Sequence, residues 1–150
     1  PRYLMGVGSP EDLWNGVAAG VDLFDCVLPT RVARRGALYT PTGRVDIAAS
    51  RFRLVDEPID ASCDCYTCQT FSAAYVHHLF RARELLAYRL GSIHNVRFLH
   101  RQTERMATAI EAGTFAEDRS EFISTYRPAD QQIAAQQREK HRIARAHSTR

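Results

Sequence analysis

No stretch of the 150-residue sequence stays apolar over the roughly 20 residues that a membrane-spanning helix takes. Nor does its start carry the basic flank and apolar core of a secretory signal. These absences leave a soluble, cytoplasmic protein with no membrane partner as the expectation. Glycine (8) and proline (6) are too few for a collagen-like or low-complexity chain, while 45% hydrophobic residues is too many for a disordered one. Cysteine is scarce as well: four in all rule out a disulfide-dense scaffold. Strong charge is missing too, and a net +3 does not by itself point to nucleic acid. An initiator methionine is replaced by Pro1, and the chain enters an apolar segment at once, as a chain cut inside a domain would.

What is present divides into recognisable elements. Tyr3-Leu4-Met5-Gly6-Val7-Gly8 predicts a short buried strand, and Ser9-Pro10-Glu11-Asp12 supplies an N-cap, a proline at the first helical position and early acids. The helix that follows buries Leu13 and Val17 and ends near Gly20; residues 21–28 predict a second strand, stopped by Pro29. This is a β-α-β unit, normally parallel. Ala37-Leu38-Tyr39-Thr40 and Arg44-Val45-Asp46-Ile47 then flank Pro41-Thr42-Gly43 as an antiparallel hairpin. Tyr75, Leu79 and Ala82 fall at helical spacing, and so do Ile93, Val96, Leu99, Thr103, Met106 and Ile110 before Gly113. Beyond Pro128 an Ala-, Gln- and Arg-rich tail is expected to be mobile; Arg138, Lys140, Arg142, Arg145 and Arg150 make it basic, either as a solvated terminus or in loose phosphate contact.

Three of the four cysteines fall in Cys63-Asp64-Cys65-Tyr66-Thr67-Cys68. Such crowding in a cytosolic chain favours metal over disulfides, and thiolates at this spacing can share one tetrahedral zinc ion. A closed structural site needs a fourth ligand. Cys26, His77, His78, His94, His100, His141 and His147 all remain candidates on spacing alone. For His94, an unbroken helix from Cys68 would separate the two by about 39 Å, so ligation requires a break, for which Arg83-Glu84 and Gly91-Ser92 are the places.

Within Asp22-Leu23-Phe24-Asp25-Cys26 two carboxylates stand three residues apart, which in a strand places them on opposite faces. Asp25 lies nearer the strand's carboxyl end, where α/β barrel enzymes carry their chemistry, and is the catalytic candidate. The competing role is an ion-pair partner of Arg31, Arg34 or Arg35.

Taken together, Tyr3-Leu4-Met5-Gly6-Val7-Gly8, Asp22-Leu23-Phe24-Asp25-Cys26-Val27-Leu28-Pro29-Thr30-Arg31, the Cys63, Cys65 and Cys68 cluster and Ile93-His94-Asn95 resemble the bacterial tRNA-guanine transglycosylases over residues 1–126. The resemblance implies an α/β fold, the carboxy-terminal portion of a (β/α)8 TIM barrel with an inserted zinc-binding subdomain. Residues 1–35 would be the last β-α-β part of the barrel, 36–92 the inserted hairpin and zinc subdomain, 93–126 the closing helical part and 127–150 the tail. The activity implied is exchange of the wobble guanine of certain tRNA anticodons for 7-aminomethyl-7-deazaguanine in queuosine biosynthesis, with Asp25 as the nucleophile that forms a covalent aspartyl-ribose intermediate. The family's zinc ligands correspond to Cys63, Cys65, Cys68 and His94, holding one structural zinc ion.

The same resemblance places Met5 and Gly6 in the base pocket. It assigns RNA contact to two stretches, Gly6, Val7, Gly8, Ser9, Pro10, Glu11 and Asp12, then Thr30, Arg31, Val32, Ala33 and Arg34. A backbone without side chains at Gly6 and Gly8 can approach a flat base closely. Val32 and Arg35 depart from the asparagines that many relatives carry. A second aspartate, the general acid/base, would belong to the amino-terminal part of the barrel. The partners implied are the tRNA anticodon loop, a 7-deazaguanine base and a second copy of the chain. Phe71, Tyr75 and His78 lie on one helical stripe suited either to a homodimer or to packing against the barrel. A non-catalytic, zinc-stabilised RNA-binding or partner subunit of the same family is the alternative, and a carboxylate at Asp25 is the feature that such a subunit need not keep. An archaeal-type relative is a further alternative, though such chains usually continue into extra RNA-binding domains.

Overall fold

The computed structural model describes residues 1–127, so nearly all of the expected basic tail, with His141 and His147, lies outside the described residues. Strand β1 (Tyr3–Met5) leads into helix α1 (Pro10–Ala18), where the Ser9 hydroxyl accepts from the Asp12 amide at 3.2 Å and Pro10 occupies the first turn. Strand β2 (Leu23–Asp25) pairs with β1 in parallel, Tyr3 opposite Leu23 and Met5 opposite Asp25. Both strands are shorter than expected. Pro29 does not stop the second strand, which ends at Asp25; it sits in the first turn of helix α2 (Leu28–Ala33), where its missing N–H costs nothing.

The hairpin forms as expected, β3 (Ala37–Thr40) against β4 (Gly43–Asp46), one residue earlier in its second strand. Helices α3 (Tyr66–Thr70), α4 (Ala73–Ala82), α5 (Leu85–Ala112) and α6 (Phe115–Thr125) complete the described residues. Arg83 adopts a left-handed conformation (φ 60°) between α4 and α5, so the chain turns at Arg83-Glu84. Gly91-Ser92 lies inside the unbroken 28-residue α5, which also crosses the boundary expected between residues 92 and 93.

Two clusters form the core. Ala33, Leu38, Ile47, Val76, Leu79 and Leu90 pack α2, the hairpin, α4 and α5 together. Around Trp14, Phe115 and Phe122 stack at 5.5 and 5.4 Å, joined by Leu13, Phe98, Met106 and Tyr126. The buried face of α5 is not the stripe that periodicity indicated: Leu90, His94, Asn95, Phe98, Met106 and Ala109 are buried, whereas Ile110 is 55% exposed. Val96, Leu99 and Thr103 instead line an open groove of about 390 Å³ with Leu23 and Phe24. The fold is mixed α/β, and among the described residues its sheets are two two-stranded ones without a closed barrel.

Candidate metal centre and the Asp25 strand

The loop before α3 is shaped by Asp60, whose carboxylate accepts from the Ser62 amide at 2.9 Å and whose carbonyl accepts from the Cys63 amide at 3.1 Å. Cys65 is the N-cap of α3, its sulfur accepting from the Cys68 amide at 3.4 Å, and Thr67 ties α3 to α5 by donating to the Leu90 carbonyl at 2.8 Å. Helix α5 then delivers His94. The sulfurs of Cys63, Cys65 and Cys68 and a His94 ring nitrogen all lie within 4.8 Å of one another, and all four residues are buried. His94 Nδ1 is 3.3 Å from Cys68 Sγ and 3.7 Å from Cys65 Sγ. A tetrahedral ion with zinc–sulfur and zinc–nitrogen bonds of about 2.3 and 2.05 Å separates its ligand atoms by about 3.5 Å, so the pocket fits.

The histidine's other nitrogen decides its tautomer. Nε2 lies 2.7 Å from the Tyr39 carbonyl oxygen, which can only accept, so Nε2 carries the proton and donates. Nδ1 is thereby presented to the sulfurs, as a ligating imidazole requires. Without metal, burial disfavours the charged ring, but Cys63 and Cys65 beside it, helped by the Tyr39 carbonyl, raise the His94 pKa to about 9. The Cys68 thiol, and then the His94 ring and the Cys68 amide, hold the Cys65 thiol well below its ordinary range. Cys63, Cys65, Cys68 and His94 form a closed tetrahedral zinc site, which makes the ion structural.

The other candidate ligands are elsewhere. His77 is buried with Nδ1 2.8 Å from the Ile47 carbonyl, His78 and His100 are exposed, and Cys26 packs beside Gly6 and Leu28. Next to His94, buried Asn95 accepts from the Tyr39 amide and donates to the carbonyls of Pro29 and Ala37, each at 3.0 Å. Sequence reasoning quoted Asn95 only as part of a motif. Its bonds join the zinc helix to the hairpin and to the segment just after strand β2.

At the carboxyl end of β2, the exposed Asp25 carboxylate accepts on Oδ1 from the Tyr3 hydroxyl at 2.6 Å and from the Gly6 amide at 3.2 Å. First the Tyr3 hydroxyl, then the Gly6 amide, lower its pKa below the usual carboxylate value, so it is ionised at neutral pH. Gly6 adopts φ +73°, with open space where a side chain would stand. At Gly8 the absence of a side chain has a packing reason: a Cβ there would fall 2.4 Å from Cys26 Cβ. Asp22 lies just before the strand, its carboxylate accepting from the Arg2 amide at 2.6 Å. No ion pair joins Asp25 to Arg31, Arg34 or Arg35 among the described residues.

Met5 is 72% exposed beside Gly6. In the two stretches assigned to RNA, Asp12, Arg31 and Arg34 are exposed and Val7, Ser9, Glu11, Thr30 and Val32 are half-buried. Gly8, Pro10 and Ala33 are buried behind them, Ala33 completely, so these three shape the surface from beneath.

A family profile described as queuine tRNA-ribosyltransferase matches residues 1–128. Proteins of that name are similar over most of the chain: one from Dehalococcoides mccartyi strain CBDB1 is 53% identical over 140 residues, covering 93% of this chain and 36% of its own length. Another from Herpetosiphon aurantiacus is 51% identical over 150 residues, covering all of this chain and 37% of its own. A third, from Nitratidesulfovibrio vulgaris, is 55% identical over 126 residues, 84% of this chain and 34% of its own length. The chain thus spans little more than a third of the curated relatives it matches. No helix among the described residues is long and apolar enough to cross a membrane. With its Cys3His centre, its conditioned Asp25 and this similarity, the chain belongs to the queuine tRNA-ribosyltransferase family, the tRNA-guanine transglycosylases that its motifs resemble.

Proposed function

We propose that this chain is the carboxy-terminal part of a cytoplasmic tRNA-guanine transglycosylase that replaces the wobble guanine of tRNA anticodons with 7-aminomethyl-7-deazaguanine. The observation that carries the proposal is Asp25, an ionised carboxylate at the end of a parallel strand whose Oδ1 holds both hydrogen bonds. Asp25 attacks the ribose C1′ as the C1′–N9 bond breaks and its electron pair leaves with guanine. An acid on the amino-terminal part of the enzyme protonates the departing base. The incoming base then attacks C1′, the ester bond to Asp25 breaks and the carboxylate is regenerated, while the base's proton returns to the amino-terminal group that protonated guanine. Two displacements restore the configuration, as in retaining glycoside hydrolysis.

Strands β1 and β2 are the last two of a (β/α)8 barrel, residues 36–92 its zinc insertion and residues 93–126 its closing helices. Parallel strands are normally covered on both faces, yet Tyr3, Met5 and Leu23 are more than half exposed here, which supports neighbours on the rest of the barrel. Met5 and Gly6 border the base, and Arg31 and Arg34 hold phosphates. The zinc ion, closed to further ligands, fixes the insertion. Tyr66 meets Phe71 edge-on at 5.7 Å and Phe71 stacks on Tyr75 at 5.1 Å, and with exposed His78 this aromatic row offers a face for a second copy.

The test is Asp25→Asn in the full-length enzyme carrying this chain. Guanine exchange and the covalent RNA adduct on denaturing gels are both expected to disappear, while tRNA binding, dominated by phosphate contacts, persists. Exchange at the parental rate would remove Asp25 from the mechanism.

A further inference from the structure

The register of the parallel pair makes Tyr3 and Asp25 diagonal neighbours, since Tyr3 stands opposite Leu23 and Met5 opposite Asp25. A gap of about 7–8 Å between such positions is within reach of an aromatic side chain. Tyr3 closes it, its hydroxyl 2.6 Å from Asp25 Oδ1. The Gly6 amide, just past the end of β1, donates to the same oxygen at 3.2 Å. Both donors therefore converge on Oδ1, and no described residue donates to Oδ2. Tyr3 is 54% exposed and belongs to neither apolar cluster of the described residues, so neither cluster requires this ring or its hydroxyl.

Resting on the glycosyl-exchange chemistry proposed above, we infer that Tyr3 is a positioning residue: with the Gly6 amide it reserves Oδ2 as the attacking atom and makes Asp25 a better leaving group in the second displacement. In the ribosyl ester Oδ2 is bonded to C1′ and Oδ1 is the carbonyl oxygen. As the incoming base attacks, the C1′–Oδ2 electron pair returns to the carboxylate and negative charge grows on Oδ1. Hydrogen bonds to an ionised acceptor are stronger than those to a neutral carbonyl, so both donors stabilise departure more than they stabilise the ester. In the first displacement the same two bonds hold the carboxylate ionised and fix its rotation, at some cost to its nucleophilicity. Removing the hydroxyl therefore falls hardest on resolution of the ester.

The experiment is Tyr3→Phe in the full-length enzyme, which keeps the ring and deletes the donor. The turnover number for base exchange should fall about tenfold, the lower end for a hydrogen bond to a charged group. KM for tRNA should fall along with turnover, because kcat/KM reports formation of the adduct, while the melting temperature stays unchanged and the fraction of enzyme trapped as covalent adduct at steady state rises. Parental turnover with an unchanged adduct level overturns the inference; so does a fall in adduct together with a lower melting temperature, the mark of a merely structural residue. Asp25→Asn, assayed alongside, separates the two failures: adduct surviving in that variant sinks the nucleophile assignment itself, whereas its loss there with parental Tyr3→Phe behaviour sinks only the role of Tyr3.

Discussion

Replacing Asn95 with leucine tests how the zinc helix is fastened to its surroundings. The side chain is fully buried and makes three hydrogen bonds of 3.0 Å, accepting from the Tyr39 amide and donating to the Pro29 and Ala37 carbonyls. Leucine is of similar size, so packing changes little, but one buried donor and two carbonyls lose their partner. At about 1–2 kcal/mol for each buried group left unsatisfied, the loss is about 3–6 kcal/mol. That is a large part of the roughly 5–15 kcal/mol that holds a typical domain together. With each kcal/mol worth roughly 2–4 °C in a domain of this size, the melting temperature should drop by about 6–24 °C. Asn95→Asp should be no milder, because it keeps the acceptor for Tyr39 yet turns a buried negative charge on two carbonyl oxygens. Circular dichroism melts of zinc-loaded protein would measure both. A cost below about 1 kcal/mol for Asn95→Leu would show that these bonds are replaced by water or by backbone movement, and the account of the fastening would fail.

Three further outcomes follow from the site. His94→Ala should lose zinc by elemental analysis and destabilise the protein far more than His77→Ala or His100→Ala; retention of full zinc would move the fourth ligand. Because the metal-free His94 pKa is raised to about 9, protons compete with the ion below that pH, so zinc should bind more tightly at pH 8.5 than at pH 6 in a chelator competition; affinity independent of pH would contradict this. Gly8→Ala should cost about 1–3 kcal/mol through the clash with Cys26, and Cys26→Gly should recover most of it in the double variant, the melts being compared pairwise.

The sequence made parts of this molecule legible and hid others for physical reasons. Ser9 and Pro10 announced α1, and Pro41-Thr42-Gly43 announced the hairpin, because capping and turn chemistry are local. Cysteine spacing gave three zinc ligands, but the fourth depends on where α4 turns into α5, and a left-handed Arg83 carries no strong residue signature. The stripe on α5 was misplaced because His94 and Asn95 are polar residues on its buried face, and an apolar count passes over them. Helix α2 was hidden by its brevity and by Pro29, which reads equally as a stop and a start. Tyr3 stood in a quoted motif without a role, since its bond to Asp25 appears only once the two strands are in register.

Consecutive His94 and Asn95 have a consequence for how the protein fails. Between them they occupy the Tyr39 carbonyl, the Tyr39 amide and the Ala37 carbonyl, three backbone groups of β3. An uncovered strand edge is a template for pairing with another chain, and here the cover is side chains on a helix pinned by a metal ion. Depleting zinc loosens that pin and uncovers the β3 edge before the aromatic core around Trp14 is touched. Metal-starved protein should therefore be lost first to intermolecular strand pairing and aggregation, at temperatures where its helices are still intact.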